Sequence, residues 1–287
     1  MRVLSPSTLA EALEMLAAAE HPLTPVAGGT DLLVCWHQQP KDDLHLLDLS
    51  RLRELQPLRL TDECLELGAL TTYWQVIESR EVSRAFPLLA QAARQVGAIQ
   101  IQTRGTWAGN IANGSPAADG VLVLMAYGAT VVLQSRQGMT EVPLDRYYTG
   151  YKQSVRRPDQ LITAIRIPRR RRALEWFHKV GARCAQAIAK VGVAVVRDAQ
   201  SSRSAGPPSP ASGWRIVANS VAPVVCRCRA LEGALTAGRS FRYPDEVRHV
   251  LHSDISPIDD IRSTARYRAT ALSRLLYYWL VENGWGA

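Results

Sequence analysis

The stretch PVAGGTDL at residues 25–32 decides how the N-terminal part of the chain folds. A short apolar segment, Leu23–Ala27, leads into two glycines, and a second apolar segment, Leu32–His37, starts soon after them. This order predicts a strand, a glycine turn and a helix. At such a turn, successive backbone N–H groups can converge on an anion, and the N-terminus of the following helix attracts negative charge. The stretch therefore predicts either a structural turn or a phosphate-binding loop.

A second stretch, TWAGNIANGSPAAD at residues 106–119, lies in the middle of the chain. It contains no Lys, Arg or Glu, so it can wrap an anion with backbone donors but cannot form a salt bridge to it. Asp119 is its one carboxylate and would accept hydrogen bonds from sugar hydroxyls. A series of surface turns is the alternative, although Trp107 and Ile111 favour partial burial. Together the two stretches fit a diphosphate-bridged cofactor better than free phosphate.

Other chemical motifs are weak or missing. Neither GxGxxG nor GxxxxGK[ST] occurs, so a dinucleotide fold of that type and a P-loop are both unsupported. There is no GxSxG motif and no cysteine with a convincing histidine partner for nucleophilic catalysis. His249 and His252 are three residues apart without an HExxH pattern, which favours surface histidines over a metal site. The run Arg169–Arg172 favours a solvated face or a subunit contact over nucleic-acid binding.

Helix and strand patterns around these stretches predict three domains. Residues 1–57 alternate helix and strand and predict a small parallel α/β unit, with Ser7 as the cap of the first helix. Residues 58–170 predict a second α/β unit with more antiparallel character. Residues 171–287 predict strands followed by helices, and the segment 201–213 is expected to be a flexible hairpin loop.

Composition places the chain among ordinary globular proteins. Of its 287 residues, 47% are hydrophobic and 21% are charged, which excludes wholesale disorder. The formal net charge of +8 allows an acidic partner subunit, an anionic cofactor or nucleic acid. Five scattered cysteines without a CxxC motif predict neither a disulfide framework nor a metal site. Without a membrane-spanning apolar run or a secretory leader, we expect a cytoplasmic protein that binds no membrane.

Five motifs, in this order, resemble one known family. They are VAGGTDLL at 26–33, GALTT at 68–72, QTRGTWAGNIANGSPAADG at 102–120, SVAPVVCRCRALEGAL at 220–235 and ISPIDDIRSTARYRATAL at 255–272. The set is similar to the FAD-binding medium subunit of the molybdenum hydroxylases, the family of xanthine dehydrogenase and carbon monoxide dehydrogenase. The resemblance covers essentially the whole chain.

The resemblance implies a fold and a set of cofactor-binding residues. The fold is α+β: two subdomains of the vanillyl-alcohol-oxidase-like FAD-binding type, followed by a C-terminal domain with a three-stranded antiparallel sheet and a helical bundle. Two loops would hold the FAD diphosphate, and Asp119 would bind FAD hydroxyls. Ile162 would lie beside the flavin. Lys179 would lie near the isoalloxazine ring, on the side where nicotinamide binds. The loop residues are Ala27, Gly28, Gly29, Thr30, Asp31, Leu32, Thr106, Trp107, Ala108, Gly109 and Asn110.

The sequence departs from the family pattern at several positions. The usual Gly-Gly-Asn is Ala108-Gly109-Asn110, and a common arginine is replaced by Gln102. Val96 stands where eukaryotic relatives have an aromatic residue over the flavin ring, and Ala187 stands where an aspartate is frequent near the predicted lysine. The last change weakens the expectation that NAD is the electron acceptor.

The resemblance implies an electron-transfer subunit with no catalytic acid or base of its own. Substrate would be oxidised at molybdopterin on a large subunit, and electrons would pass through two [2Fe–2S] clusters on a small subunit to FAD here, and then to NAD or another acceptor. The alternative is a stand-alone FAD oxidase of the vanillyl-alcohol-oxidase type, which needs its own catalytic base. A basic nucleic-acid-binding module is a third hypothesis and is not favoured.

Overall fold

The computed structural model describes residues 2–38, 43–199 and 213–286. The chain separates into two compact units, one made of Met1–Gly114 and Gly128–Arg169, the other of Ser115–Tyr127 and Arg170–Ala287. Residues 115–127 thus group with the C-terminal part, although the sequence pattern assigns them to the segment 58–170. The three-domain boundaries stay predictions. The expected loop at 201–213 lies, except for Gly213, outside the described residues.

The first unit opens with the predicted parallel α/β arrangement. Three strands form a parallel sheet in the order β1-β3-β2: β1 Arg2–Leu4, β2 Leu23–Val26 and β3 His45–Asp48. Two helices lie between them in the chain: α1 Leu9–Ala17 and α2 Leu32–Gln38. The predicted strand, glycine turn and helix around residues 25–32 are therefore confirmed.

The cap of α1 differs from the prediction by one residue. Thr8, not Ser7, is the N-cap, and its Oγ1 accepts a hydrogen bond from the Glu11 amide at 3.1 Å. Ser7 instead donates from its amide and its hydroxyl to Glu11 Oε2, each at 2.7 Å. Two adjacent residues of nearly equal capping preference stand at this position, so propensity alone does not choose between them.

The first unit also contains a five-stranded antiparallel sheet, in the order β4-β5-β10-β6-β7. Its first four strands in the chain are β4 Leu58–Leu60, β5 Cys64–Gly68, β6 Thr130–Ser135 and β7 Gly138–Pro143. A small hairpin, β8 Tyr148–Gly150 and β9 Gln153–Ser154, precedes β10 Leu161–Pro168. The predicted antiparallel character of this region is confirmed.

Five helices come between β5 and β6 in this unit. They are α3 Tyr73–Glu78, α4 Arg80–Ala85, α5 Pro87–Gln95, α6 Ile99–Gln102 and α7 Trp107–Asn113. Short 3₁₀ turns at Arg53–Leu55 and Leu144–Arg146 complete the unit. Pro87 starts α5 at a position where its missing N–H costs no helical hydrogen bond, and the apolar face of α5 is buried.

The second unit is a sheet with helices on both faces. Its elements are α8 Asp119–Ala126, β11 Arg172–Val180, β12 Val191–Asp198, β13 Trp214–Asn219, β14 Cys226–Arg227, α9 Arg229–Thr236, α10 Pro244–Leu251 and α11 Ala265–Glu282. The strands are antiparallel in the order β11-β12-β13-β14, so the predicted three-stranded sheet is present and a two-residue strand extends it. The predicted C-terminal helices are present as α9, α10 and α11.

Alternate residues of the central strands explain this layering. Val191, Val193 and Val195 on β12 join the core that α9, α10 and α11 cover. Because side chains alternate across a sheet, the intervening residues face the other side, where α8 packs against β12 and β13. All residues of α8 are buried. No helix in the described part of the chain is long and apolar enough to span a membrane.

Candidate cofactor site

The first glycine loop offers a run of backbone donors without protein partners. The amides of residues 28–32 donate no hydrogen bond to any described residue. Gly29 has a φ of +69°, a left-handed conformation that glycine adopts without strain. The loop carbonyls are used differently: Gly29 O and Asp31 O accept from the amides of Leu33 and Cys35, each at 3.0 Å, which starts α2. Free amides in sequence at a helix start form an anion-binding concavity.

The first loop lies directly against the start of the second loop. A Cβ on Gly28 would meet the carbonyl oxygen of Arg104 at 1.9 Å, so only glycine fits there. A Cβ on Gly105 would lie 3.3 Å from Thr30 Oγ1. Farther along, Asn113 Nδ2 donates to Asp31 Oδ1 at 3.1 Å. Residues 27–32 and the segment that carries 106–110 are therefore neighbours, as the diphosphate prediction requires.

Helix α7 is positioned by the segment that precedes α3. Thr106 is its N-cap and accepts from the Gly109 amide at 3.0 Å. The Trp107 amide donates to Thr71 O, and the Tyr73 amide donates to Gly105 O, each at 3.2 Å. The buried Trp107 ring lies 4.9 Å from the Tyr73 ring, centroid to centroid. The GALTT motif thus supports the second loop through its backbone.

A small cavity of about 90 Å³ adjoins both loops. Most of its wall is small or aliphatic, and it includes the predicted residues Ala27, Ala108, Gly109 and Ile162. The complete lining is Pro25, Ala27, Leu49, Ala69, Ala108, Gly109, Ala112, Arg156, Gln160, Leu161 and Ile162. Partner-free amides beside such a wall fit the diphosphate of FAD, which needs donors and close approach of the backbone.

Asp119 and Lys179 form a buried pair in the second unit. Lys179 Nζ lies 2.6 Å from Asp119 Oδ2, and the two side chains are 5% and 7% exposed. Asn219 Nδ2 donates to the other carboxylate oxygen at 3.1 Å and is itself buried. The network joins the first residue of α8 to β11 and β13. The proposed contacts of Asp119 and Lys179 with FAD stay predictions.

Burial and hydrogen bonding act in opposite directions on Asp119. Removal from water is the largest influence and raises the pKa of its carboxyl, because a low-dielectric surrounding disfavours the charge. The Lys179 ammonium, through charge and hydrogen bond, and then the Asn219 amide act to lower that pKa. The contacts with Lys179 and Asn219 thus compensate part of the cost of burying this carboxyl group.

The structure also brings in residues that sequence analysis missed. Arg156 and Gln160 line the cavity, and Arg156 Nη1 donates to Gln160 O at 2.8 Å. Asn219 donates a hydrogen bond to Asp119, although the two residues are 100 positions apart in the sequence. None of these three residues belongs to a local motif that would mark it. The GALTT motif was visible as Thr71 and Thr72, but its supporting contact with the second loop is a tertiary pairing.

The described residues hold no cluster of three or more His, Cys, Asp or Glu side chains that could bind a metal ion. Two of the five cysteines, Cys226 and Cys228, are shielded from water. Burial raises the pKa of the Cys226 thiol to about 12 and that of the Cys228 thiol well above its ordinary value, so neither forms a thiolate at neutral pH.

Comparison with known proteins identifies the family. Residues 1–170 match the family described as the FAD binding domain in molybdopterin dehydrogenase. The carbon monoxide dehydrogenase medium chain of Hydrogenophaga pseudoflava is 28% identical over 275 residues, covering 95% of this chain and 93% of the relative. The xanthine dehydrogenase FAD-binding subunit of Escherichia coli O157:H7 is 32% identical over 164 residues, 56% of each chain.

A solved structure agrees along the whole chain. The carbon monoxide dehydrogenase of Hydrogenophaga pseudoflava that lacks the Mo-pyranopterin moiety of its molybdenum cofactor superposes with a TM-score of 0.82 at 25% identity, covering 99% of this chain and 97% of that one. Fold, loops and relatives therefore agree that this chain belongs to the FAD-binding medium subunits of the molybdenum hydroxylases, and it is an oxidoreductase subunit.

Proposed function

We propose that the chain carries FAD as the electron-transfer subunit of a molybdenum hydroxylase complex. The partner-free amides of residues 28–32 carry this proposal, because they lie at a helix start beside the cavity and provide donors for a diphosphate. Gly109 and Ala108 from α7 would approach the same diphosphate from the second loop. FAD supplies the redox chemistry when bound, since flavin exchanges electrons singly or in pairs.

The protein residues have binding and positioning roles in this proposal. Asn113 holds the Asp31 carboxylate, while Thr106 caps α7 so that its first turn keeps one geometry. Ile162 and its neighbours give the cavity an apolar wall that excludes water from a flavin ring. We assign no acid or base to this chain, because oxidation of the substrate would take place on a partner subunit.

The proposed partners are a large molybdopterin-binding subunit and a small [2Fe–2S] subunit, with NAD or another compound as the final acceptor. The relatives' names support a multi-chain assembly, because they include the words "medium chain" and "FAD-binding subunit". A cytoplasmic location of this complex is part of the same proposal. The substrate would be chosen by a pocket on another chain.

The alternative of a stand-alone FAD oxidase has less support. Carbon monoxide dehydrogenase matches this chain over both units, including the C-terminal sheet and helices, where a stand-alone oxidase would need its substrate pocket. Acid precipitation of the purified protein distinguishes the two. Flavin released into the supernatant is expected for the subunit, whereas flavin that stays on the polypeptide supports the oxidase.

Purification from the native host tests the proposal directly. We expect about one FAD per chain by absorbance, together with a large molybdenum-containing polypeptide and a small iron–sulfur polypeptide. Inductively coupled plasma mass spectrometry of the complex measures the molybdenum and iron. A colourless protein that elutes alone and takes up no added FAD contradicts the proposal.

A further inference from the structure

A groove in the second unit lies between α10 and α11 and has no role in the proposed cofactor site. Its volume is about 860 Å³, near the upper end of the roughly 300–1,000 Å³ of typical small-molecule sites. Ile255, Pro257, Ala265 and Ala269 provide apolar surface within it. Because it is open to solvent, it can also admit a polypeptide segment. We call it the α10–α11 groove.

The charged side chains in the α10–α11 groove are mainly cationic. Arg248 and Arg266 contribute two guanidinium groups, and Asp245 contributes the one carboxylate in the lining. His249 and His252, the pair that stood out in the sequence, lie in the same groove. All five of these side chains belong to exposed residues. The groove therefore favours an occupant with negative charge.

Part of this positive charge is not used inside the chain. The side chains of His249, His252 and Arg266 make no hydrogen bond or ion pair with any residue that the structure describes. Arg248 pairs with Asp245 at 3.2 Å, but both are exposed, and pairs of this kind contribute little stability. An acidic partner could therefore gain contacts here without breaking a buried network.

The framework of the groove is rigid, so binding would cost little ordering of the backbone. The Ser256 amide donates to Val221 O at 2.9 Å, and the Ile255 amide donates to Leu251 O at 3.1 Å. Thr264 caps α11 by accepting from the Tyr267 amide at 3.1 Å. Val247 and Leu251 of α10 are buried in the core that also holds α11. A preformed surface of this kind favours specific association.

We infer that the α10–α11 groove binds an acidic, partly apolar segment of another subunit of the same complex, an inference that rests on the proposed function. Nucleic acid suits the groove less well. No Phe, Tyr or Trp lines it for base stacking. Carboxylate side chains would pair with Arg248 and Arg266, and apolar side chains of the same segment would contact Ile255 and Ala269.

Charge reversal in the assembled complex tests the inference. The variant R248E/R266E is expected to retain its partner subunits about tenfold less well than wild type when affinity-purified at 0.15 M NaCl. The matched control R51E/R53E changes the same number of exposed arginines in the first unit and is expected to assemble normally. Equal retention of partners by R248E/R266E and wild type overturns the inference.

Photo-crosslinking identifies the occupant. Benzoylphenylalanine in place of Ser256, a groove residue, should crosslink to an acidic peptide of another subunit when the complex is irradiated. A crosslink to a second copy of this chain, or to nucleic acid, overturns the inference. FAD content, measured on the same samples, separates the two proposals. Loss of FAD from wild type contradicts the proposed function, whereas full FAD with unchanged assembly of R248E/R266E contradicts only the groove.

Discussion

Single residues in the first loop show how tightly the backbone must pass another segment. Gly28 faces the carbonyl of Arg104, and Gly29 adopts a positive φ, so the two adjacent glycines are needed for different reasons. Pro25 and Val26 before them end strand β2, and Ala27 connects the strand to the glycines. The glycine pair thus combines close approach with a change of chain direction, and leaves the following amides free for a ligand.

Replacing Gly28 by alanine should abolish FAD retention. The added Cβ would lie 1.9 Å from Arg104 O, so the loop must move and its amides lose their arrangement. We expect less than about a tenth of the wild-type FAD per chain, with a far-UV circular dichroism spectrum close to wild type. Gly233→Ala in α9, where a Cβ meets nothing within 4 Å, is the control and should retain FAD. Full FAD occupancy in G28A would show that this loop does not hold the cofactor.

The Asp119–Lys179 pair should behave as a coupled buried unit. Lys179→Met alone leaves a buried carboxylate without its ammonium, which should lower the free energy of unfolding by about 3–5 kcal/mol. The double variant D119L/K179M should be closer to wild type, because both charges are removed together. Urea denaturation of Lys179→Met, Asp119→Leu and the double variant measures this coupling. Strictly additive effects would mean that the two side chains act independently.

At the scale of elements, Arg215 links three of them: it forms an ion pair between β13 and β12, and it also forms a hydrogen bond with α8. Arg215 of β13 donates to Asp198 of β12 at 2.6 and 3.1 Å, and its Nε donates to Ala126 O at 2.7 Å. Arg170 contributes a further contact with Asp198 Oδ2 at 3.1 Å. At least one arginine of the run 169–172 therefore forms an ion pair within the chain. A run that only faced solvent would form no such pair.

Asp198 should make the stability of this sheet depend on pH in the acidic range. Burial opposes its ionisation, but hydrogen bonds and charge from Arg215 and Arg170 outweigh burial and hold the pKa below the ordinary 3.8. A lowered carboxyl pKa stabilises the folded state above the unfolded-state pKa, and that contribution disappears as pH falls below about 3.8. Asp198→Asn should therefore lower the free energy of unfolding by about 1–2 kcal/mol at pH 7 and by less at pH 3.

Urea denaturation at pH 7, 5 and 3 measures this difference. Asp159, which pairs with Arg157 on the surface, provides a control, because its replacement by Asn should shift the unfolding midpoint little at any of these pH values. A D198N effect of the same size at pH 7 and pH 3 would contradict the role given to the ion pair.

At the scale of the whole molecule, FAD should stabilise the folded protein. A ligand that binds only the native state raises the free energy of unfolding by about 2.7 kcal/mol at one hundred times its Kd. Differential scanning fluorimetry of FAD-depleted protein, with and without added FAD, should show this as a rise in Tm. G233A should respond like wild type, and G28A should not respond. An equal Tm rise in G28A would place the binding energy outside the first loop.

The sequence by itself determined much of the order of strands and helices, the two glycine-containing loops and, through its motifs, the family. These features are local: apolar periodicity and glycine turns are set by neighbours a few residues away. It could not determine short strands such as β4 and β14, whose two or three residues carry no periodicity and form only because a partner strand is present.

Only the tertiary structure decided which distant residues meet. Asn113 reaches Asp31 across 82 positions, and Lys179 reaches Asp119 across 60. It also decided that residues 115–127 group with the C-terminal unit, and that His249 and His252 share a groove with Arg266. Contacts between residues far apart in the chain depend on how whole elements pack, and no short window of sequence records that packing.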